Sequence, residues 1–112
     1  MSQRIGYARV STRDQSTEPQ HDALISAGCE RVFDDVISST KAKRPGLEAA
    51  LDYARAGDSL VITRLDRLAR SVKQLIETVE WLKERDINLI SLNENIDTNT
   101  AAGRLHFHLF GA

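Results

Sequence analysis

The chain has 112 residues, of which 41% are hydrophobic and 28% charged, and its formal net charge is -1 at pH 7. These values fit one small globular domain and argue against a protein that coats nucleic acid through bulk positive charge. No apolar run reaches the roughly 20 residues of a membrane span. The N-terminus lacks the order of a signal peptide, so we expect a cytoplasmic protein with no membrane partner.

Positive charge is concentrated in the middle of the chain. Residues 36–73 carry eight basic and four acidic side chains, whereas residues 1–35 carry four and six, and residues 74–112 carry three and six. An excess of four positive charges can attract an anionic partner. An excess of this size is, however, usually a solvated face of the protein.

The first third of the chain predicts a strand, a helix and a second strand. Strand-forming residues fill positions 4–10, and a helix begins near Ser16 or Thr17. The second strand covers residues 31–35. The residues predicted to lie on the inner face of the helix are His21, Leu24, Ile25 and Gly28. Gly28 is also the predicted C-terminal stop.

The middle of the chain predicts a polar loop, a helix and a buried strand. Residues 36–44 have no periodic pattern and form the loop. Pro45 fits the first turn of a helix that ends at Gly57, and the apolar run at residues 59–63 is typical of a strand in a parallel sheet. The predicted core positions of this helix are Leu47, Ala50, Leu51 and Ala54.

The last part of the chain predicts a long helix, a strand, a loop and a final helix. Ser71 caps the long helix, the strand covers residues 87–92, and the loop covers residues 93–100. The final helix starts near residue 101, and the chain stops within it. The predicted inner residues are Val72, Leu75, Ile76, Val79 and Leu82 in the long helix and Leu105, Phe107, Leu109 and Phe110 in the final one.

Strands that alternate with helices imply an α/β fold, a mostly parallel central sheet of about four to five strands with helices on both faces, arranged in three layers. The strand ends after residues 10, 35, 63 and 92 would then lie at one edge of the sheet. Ligands bind at this carboxyl edge in open α/β sheets. Polar residues that follow the strands are therefore the candidates for a site.

Ser11 follows the first predicted strand, within the stretch Y-A-R-V-S-T-R-D-Q at residues 7–15. A hydroxyl at that edge, with Arg9 two residues before it and Arg13 two residues after it, is a candidate nucleophile beside fixed positive charge. A serine after a strand is more often a turn or cap hydroxyl, so the stretch by itself is a weak signal.

An arginine cluster, R-L-D-R-L-A-R at residues 64–70, follows the third predicted strand. If this segment is helical, Arg67 and Arg70 are i, i+3 neighbours, and Asp66 and Arg70 are i, i+4 neighbours. The cluster could be a solvated helix start, in which such a pair contributes about 0.5 kcal/mol or less. Close arginines repel one another unless an anion joins them, however, and arginine is the residue that bidentate phosphate recognition favours.

The sequence does not support a nucleotide-binding loop, a metal site or a catalytic cysteine. It contains neither a G-x-x-x-x-G-K-[ST] loop nor a G-x-G-x-x-G turn, and His21, His106 and His108 are not spaced as a metal set. Cys29, the only cysteine, has no nearby histidine, and we interpret it as a small buried hydrophobe. A serine with an arginine cluster remains, and it suits phosphoryl transfer, in which guanidiniums can replace metal ions.

Four motifs, in order along the chain, resemble those of the serine recombinases, the resolvase and DNA-invertase family. They are Y-A-R-V-S-T-R-D-Q at residues 7–15, R-P-G-L at residues 44–47, L-D-R-L-A-R at residues 65–70, and I-D-T followed by A-G-R within residues 96–104. The chain looks most similar to the invertase-like branch. One departure is Ala69, where glycine is commoner in the family, and it should matter little in a helix.

The resemblance implies a site-specific DNA strand exchanger in which Ser11 attacks a backbone phosphate, giving a 5′-phosphoserine link and a free 3′-hydroxyl. The implied catalytic residues are Ser11, Arg9, Asp66, Arg67 and Arg70. Gln15 and Arg44 match positions that support the phosphate or the serine, and Arg64 is a further candidate for the same role. Either Asp66 or an arginine would protonate the leaving oxygen. Because the ester keeps the bond energy, the resemblance implies no ATP, no catalytic metal and no other cofactor.

The resemblance also implies the domain organisation and the partners. Residues 1–112 would be a resolvase-like catalytic domain that stops within the C-terminal dimerisation helix, which starts near residue 101. The helix-turn-helix DNA-binding domain would be absent. The full-length protein would bind DNA as a homodimer that assembles into a tetramer. The chain by itself would fold but would be inactive in recombination.

Two other classes of protein remain as alternatives. The first is a catalytically silent phosphate-binding or dimerisation module, which would have no need of Ser11. The second is a flavodoxin-like regulatory domain with an acidic phosphoacceptor at the end of the second strand, at Asp34 or Asp35. The sequence places no lysine beside these carboxylates, which disfavours that alternative.

Overall fold

The structure, a computed structural model, describes residues 2–12, 15–37 and 43–98. Its helices are α1 (Glu18–Ser26), α2 (Pro45–Tyr53) and α3 (Val72–Glu84), with a short 3-10 helix at Leu65–Arg67. Its strands are β1 (Arg4–Val10), β2 (Arg31–Val36), β3 (Ser59–Ile62), β4 (Asn88–Ser91) and β5 (Ile96–Asp97). Residues 38–42 of the predicted loop and the whole predicted final helix lie outside the described residues. No described helix is long and apolar enough to cross a membrane.

The strands form one sheet in the order β2-β1-β3-β4-β5. The pairs β1–β2, β1–β3 and β3–β4 are parallel, and β5 is antiparallel to β4. The prediction of a mostly parallel sheet of four to five strands is confirmed. The carboxyl ends of β1, β2, β3 and β4 therefore lie at the same edge.

β5 lies in a segment that the sequence predicts as a loop, so that part of the prediction is wrong. Asn95 has a φ of 56°, and this left-handed conformation, which asparagine tolerates, reverses the chain after β4. Ile96 is buried, and the Thr98 N–H donates to the Leu89 carbonyl at 2.9 Å. A strand of two residues is too short to give an alternating sequence pattern.

Alternate residues of the strands face two separate cores. Ile5 and Tyr7 of β1 belong to the larger core, beneath α2 and α3, and Ala8 belongs to the smaller core, beneath α1. Gly6 lets α1 approach the sheet, because a Cβ atom there would lie 3.1 Å from Leu24 Cδ1. Helices thus cover both faces of the sheet, as the sequence predicts.

Three hydrophobic residues predicted to face inward are exposed instead. The exposed fractions are 57% for Ile25, 56% for Val72 and 38% for Ile76. Leu24 is the one buried residue of α1, and in α3 the buried stripe is rotated toward Thr78. Periodicity identifies the apolar side of a helix, but the tertiary packing decides how much of that side meets the sheet.

α2 ends at Tyr53, four residues before the predicted stop at Gly57. Ala54 is extended, with a ψ of 152°, and the buried Asp58 carboxylate accepts from the Arg55 N–H at 2.8 Å. This bond holds a turn that leads into β3. Gly57, with a φ of 92°, belongs to that turn and not to the helix end.

Candidate active site

The candidate active site is a pocket of about 230 Å³ at the carboxyl edge of the sheet. Its lining residues are Arg9, Ser11, Asp66, Arg67, Ala69 and Arg70. All the residues that the resemblance implies to be catalytic therefore meet at one place, although two distant parts of the sequence supply them. Gln15, Arg44 and Arg64 lie outside this lining.

Arg9 lies near the end of β1 and is only 4% exposed. Its Nη2 group donates to the Asp66 carbonyl at 2.5 Å, which joins β1 to the arginine cluster. β3 pairs with β1 only as far as Gly6, and further along β1 the Gln20 side chain supplies hydrogen bonds. The Gln20 amide accepts from the Arg9 N–H at 3.1 Å and donates to the Arg9 carbonyl at 2.8 Å.

The Arg9 guanidinium carries its charge in an unfavourable environment. Burial lowers the pKa of Arg9, and the neighbouring Arg70 and Arg67 add to this effect. Its Nε–H is buried and has no hydrogen-bond partner among the described residues. A buried charged donor without a partner raises the free energy of the folded state.

Gln15 holds the backbone that carries Ser11. Its Oε1 atom accepts from the Ser11 N–H at 2.9 Å and from the Thr12 N–H at 3.1 Å. Its own N–H donates to the Thr12 carbonyl at 3.2 Å. Gln15 therefore contacts the serine segment, which is one of the two supporting roles that the resemblance implies. Arg13 lies outside the described residues.

The arginine cluster is not one continuous helix, so the condition under which Arg67 and Arg70 would be i, i+3 neighbours on a helix is not met. The 3-10 helix stops at Arg67, and Ser71 starts a new helix because its hydroxyl accepts from the Gln74 N–H at 3.1 Å. The Gln74 side chain in turn accepts from the Arg70 N–H at 2.8 Å. Arg70 therefore lies at the junction between two helical segments.

Asp66 pairs with two arginines of the cluster. Its carboxylate lies 2.8 Å from Arg64 Nη2 and 3.8 Å from Arg67 Nε. Arg67 also donates from Nη1 to the Arg9 carbonyl at 3.5 Å. Arg64 is exposed and lies outside the pocket lining, so the contact with Arg67 is the one that bears on the pocket.

Arg44 is partly buried at the start of α2 and lies outside the pocket lining. Its guanidinium donates to the Leu68 carbonyl and to Thr78 Oγ1, the latter at 2.7 Å. Burial lowers the pKa of Arg44. Arg44 thus holds the arginine cluster to α3. Sequence reasoning missed Gln20 and Thr78, because a polar residue on a helix has the signature of a solvent-facing one.

Asp35, at the end of β2, is 6% exposed. Its Oδ1 atom accepts from the Gly46 N–H at 2.7 Å, and its Oδ2 atom accepts from the Tyr7 hydroxyl at 2.7 Å and from the Leu47 N–H at 3.1 Å. Burial and the bond to Asp35 raise the pKa of Tyr7. Asp35 therefore caps α2, and its occupied oxygens disfavour the phosphoacceptor alternative.

Two further titratable residues, Asp34 and Cys29, serve the fold. Asp34 pairs with His21 of α1 at 2.9 Å. Cys29 is buried, and burial raises the pKa of its thiol to about 11, which agrees with its interpretation as a small hydrophobe. Within residues 2–12, 15–37 and 43–98, no group of three or more His, Cys, Asp or Glu side chains could hold a metal ion.

The fold and the pocket define an α/β domain with a serine and an arginine cluster at the carboxyl edge of a mostly parallel sheet. Comparison with known proteins identifies the family. Residues 4–112 match the family model described as Resolvase, N terminal domain. The chain therefore belongs to the resolvase family of serine recombinases, and the resemblance drawn from its motifs is confirmed.

Curated relatives are similar over nearly the whole chain. The serine recombinase gin of Escherichia phage Mu is 53% identical over 108 residues, which cover 96% of this chain and 56% of that protein. The DNA-invertase hin of Salmonella typhimurium is 51% identical over 108 residues, covering 96% and 57%. The transposon Tn552 resolvase of Staphylococcus aureus is 50% identical over 111 residues, covering 97% and 56%. The chain thus spans a little more than half the length of these relatives.

Two solved structures share the fold. The N-terminal catalytic domain of TP901-1 integrase is similar with a TM-score of 0.80 at 29% identity, over 96% of this chain and 90% of that one. A resolvase family site-specific recombinase from Streptococcus pneumoniae is similar with a TM-score of 0.72 at 18% identity, over 98% and 86%. The second likeness concerns the fold alone.

Proposed function

We propose that the chain is the catalytic domain of a site-specific DNA recombinase and that Ser11 is its nucleophile. The Ser11 hydroxyl attacks a backbone phosphate, the bond to the 3′-oxygen breaks, and a 5′-phosphoserine link and a free 3′-hydroxyl result. Attack by the 3′-hydroxyl of another strand then religates the DNA. The observation that supports this proposal most is the pocket whose lining contains Ser11 and three arginines.

The arginines neutralise the charge of the attacked phosphate. Phosphoryl transfer depends mainly on positioning and on electrostatic stabilisation, and guanidiniums fixed in a partly buried pocket supply both. Arg9 offers a buried Nε–H that has no partner among the described residues, and Arg67 and Arg70 add charge from the cluster. Because these donors are held before DNA binds, little reorganisation accompanies the attack.

Two proton transfers complete the reaction. Ser11 loses a proton as the phosphoserine bond forms, and the leaving 3′-oxygen gains one. Asp66 and the arginines are the ionisable groups of the pocket lining, so we assign the transfers to this set. The ester keeps the energy of the broken bond, and religation therefore needs no ATP.

DNA is the proposed substrate, and the names of the relatives, recombinase, invertase and resolvase, support it. Exchange between two duplexes requires the cutting of four strands, so four copies of Ser11 have to meet. The full-length protein is therefore proposed to act as a homodimer that assembles into a tetramer on DNA. An enzyme with this substrate would work in the cytoplasm, the location that the sequence predicts.

Replacement of the nucleophile tests the proposal. Full-length protein is incubated with a nicked duplex that carries its recombination site, and the covalent protein–DNA product is resolved on a denaturing gel. Wild type should form this product, and Ser11→Ala should form none while keeping the thermal stability of wild type. Ser26→Ala, at the exposed end of α1, is the matched control and should react as wild type does.

Two results would contradict the proposal. A covalent adduct formed by Ser11→Ala would mean that another residue is the nucleophile. The absence of any adduct with wild type would favour the catalytically silent phosphate-binding or dimerisation module.

A further inference from the structure

Glu94 lies in the turn between β4 and β5 and reaches the segment that follows β3. Both of its carboxylate oxygens accept from the Leu65 N–H, each at 3.3 Å. Leu65 is the first residue of the 3-10 helix, and the next two residues, Asp66 and Arg67, line the candidate pocket. Glu94 itself lines a neighbouring groove and lies outside the lining of that pocket.

The 3-10 helix needs an acceptor at this point. The first N–H groups of a helical turn have no partner within the turn, and Arg64, the N-cap residue, makes no side-chain cap bond. Leu65 is buried, so an unpaired N–H there would destabilise the turn. A carboxylate is a favourable partner at the start of a helical turn, where the N–H groups carry partial positive charge.

Glu94 is held in place by contacts of its own turn. The hydroxyl of Ser91, which is fully buried, donates to Glu94 Oε1. The N–H groups of residues 92 and 93 donate to the carbonyls of residues 62 and 63, at 3.0 and 2.8 Å. The turn after β4 is thereby fastened to the segment that leads into the 3-10 helix, and the carboxylate approaches Leu65 from a fixed direction.

A displacement of Leu65 would move two contacts of the site. The carbonyl of Asp66, one residue later, accepts from Arg9 at 2.5 Å. The Arg67 N–H closes the 3-10 turn on the Arg64 carbonyl at 3.0 Å. Both contacts depend on where the turn starts, and Glu94 fixes that start.

We propose that Glu94 is a positioning residue for phosphoryl transfer, whose carboxylate holds the 3-10 helix so that Arg9 and Arg67 meet the attacked phosphate in the correct geometry. This inference rests on the proposed function of the pocket. Glu94 acts through Leu65 and not on the phosphate itself.

Two substitutions of Glu94 distinguish its role as a hydrogen-bond acceptor that positions the 3-10 helix from an effect of its negative charge on DNA. Glu94→Ala removes the acceptor and should slow single-turnover adduct formation at saturating DNA by about 10- to 100-fold, because a misplacement of about 1 Å can lower a rate that much. The Kd for DNA should stay within about twofold of wild type, because a positioning defect acts on the chemical step. Glu94→Gln keeps an oxygen acceptor at the same reach and should restore the rate to within about fivefold of wild type.

The matched control is Glu84→Ala, at the end of α3 remote from Ser71. It removes the same charge from an exposed position and should leave the rate of adduct formation unchanged.

Amide hydrogen exchange gives a readout that does not depend on DNA. In Glu94→Ala the Leu65 N–H should exchange with solvent about tenfold faster than in wild type or more, and Glu94→Gln should retain most of the protection. This measurement tests the contact between Glu94 and Leu65 even if wild type forms no covalent adduct with DNA. Failure of the proposed function and failure of this inference are therefore distinguishable.

An unchanged adduct rate, or an unchanged exchange rate of the Leu65 N–H, in Glu94→Ala would overturn the inference. Tighter DNA binding by both variants would also overturn it, because Glu94 would then act as a charge that repels DNA.

If Glu94→Ala does not fold, Ser91→Ala replaces it, since this change leaves the Glu94 carboxylate but removes the hydroxyl that orients it. Ser91→Ala should slow adduct formation by about threefold or more, and a wild-type rate would overturn the inference.

Discussion

Two buried ionisable side chains at the same sheet edge differ in how completely their hydrogen bonds are satisfied. Both carboxylate oxygens of Asp35 have partners, because a hydroxyl and two backbone N–H groups donate to them. Arg9 is not saturated, because its buried Nε–H has no partner in the part of the chain that the structure describes. A buried group whose atoms all have partners supports the fold, whereas the unpartnered Nε–H of Arg9 agrees with the proposed role of this residue in binding the attacked phosphate.

Lysine in place of Arg67 or Arg70 should slow DNA cleavage by roughly 100-fold or more, although the charge is kept. A lysine is a point charge and cannot present the planar fork of donors that stabilises a phosphate in the transition state. Single-turnover cleavage by the full-length protein measures the rate. Arg55→Lys, in the exposed turn after α2, is the control and should react at the wild-type rate. Rates within about threefold of wild type for the cluster variants would mean that the cluster only attracts DNA.

The stability of the domain should fall above about pH 10 because of Tyr7. Burial and the bond to Asp35 raise the pKa of Tyr7 above its ordinary value of 10.0, so the folded state keeps a proton that the unfolded state releases. Below about pH 10 both states are protonated and no stability is lost. Above it, the free energy of unfolding should fall by about 1.4 kcal/mol per pH unit from this group.

Tyr7→Phe isolates this contribution, because phenylalanine does not titrate. Urea unfolding at a series of pH values gives the difference in stability between wild type and Tyr7→Phe, in which the other titrating groups cancel. The difference should shrink between about pH 9 and about pH 11. A constant difference over this range would mean that the Tyr7 hydroxyl titrates alike in both states.

At the residue scale, the sequence predicts the residues that face the pocket better than the residues that hold them. Ser11 and Arg9 could be placed because the end of a strand in a parallel sheet fixes where they lie. Gln20 and Glu94 could not, because each acts through contacts that exist only in the folded chain. Arg44 matches a family position that supports the phosphate or the serine, yet its guanidinium donates to Leu68 and Thr78.

At the element scale, the start of α2 depends on a close approach to β2. The Gly46 N–H donates to Asp35 at 2.7 Å, and a Cβ atom at this position would lie 2.1 Å from the Asp34 carbonyl oxygen. A side chain of any size would push α2 away from the cap that starts it. The glycine of the R-P-G-L motif is therefore explained by packing.

Gly46→Ala should destabilise the domain by about 3 kcal/mol or more, because backbone atoms have to move to admit the Cβ atom. Gly57→Ala is the matched control, since no atom of the described residues lies within 4 Å of a Cβ atom there and the strain comes from the φ of 92°. That strain costs about 1–2 kcal/mol. Urea unfolding measures both values, and a smaller loss for Gly46→Ala than for Gly57→Ala would contradict the close approach.

Element boundaries follow from the sequence where a local signal marks them. β1 and the Ser71 cap are found where the sequence predicts them. The end of α2 is not, because the Asp58 carboxylate accepts from the Arg55 N–H, and the Gln74 side chain bonds the Arg70 N–H in the same way. Such bonds between side chains and the backbone compete with the continuation of a helix, and they produce no periodic pattern in the sequence.

At the scale of the whole molecule, the 112-residue chain should fold cooperatively yet fail to retain a specific DNA duplex. The described sheet has helices and a hydrophobic core on each face, whereas the excess of four positive charges in residues 36–73 is small. Each neutralised phosphate adds only a salt-sensitive increment of affinity. Thermal unfolding and a gel shift at about 150 mM salt test both parts. Sequence-specific retention of a short duplex would contradict the second part.

The contact between Arg9 and the Asp66 carbonyl joins residues that are 57 positions apart, and it has a consequence for synthesis on the ribosome. At about 5–20 residues per second, roughly 3–11 s separate the emergence of the two partners. During that interval β1 has no β3 to pair with, and Ser11 has no arginine cluster beside it. We therefore expect a nascent chain to be chemically silent toward nearby DNA until the third strand has joined the sheet.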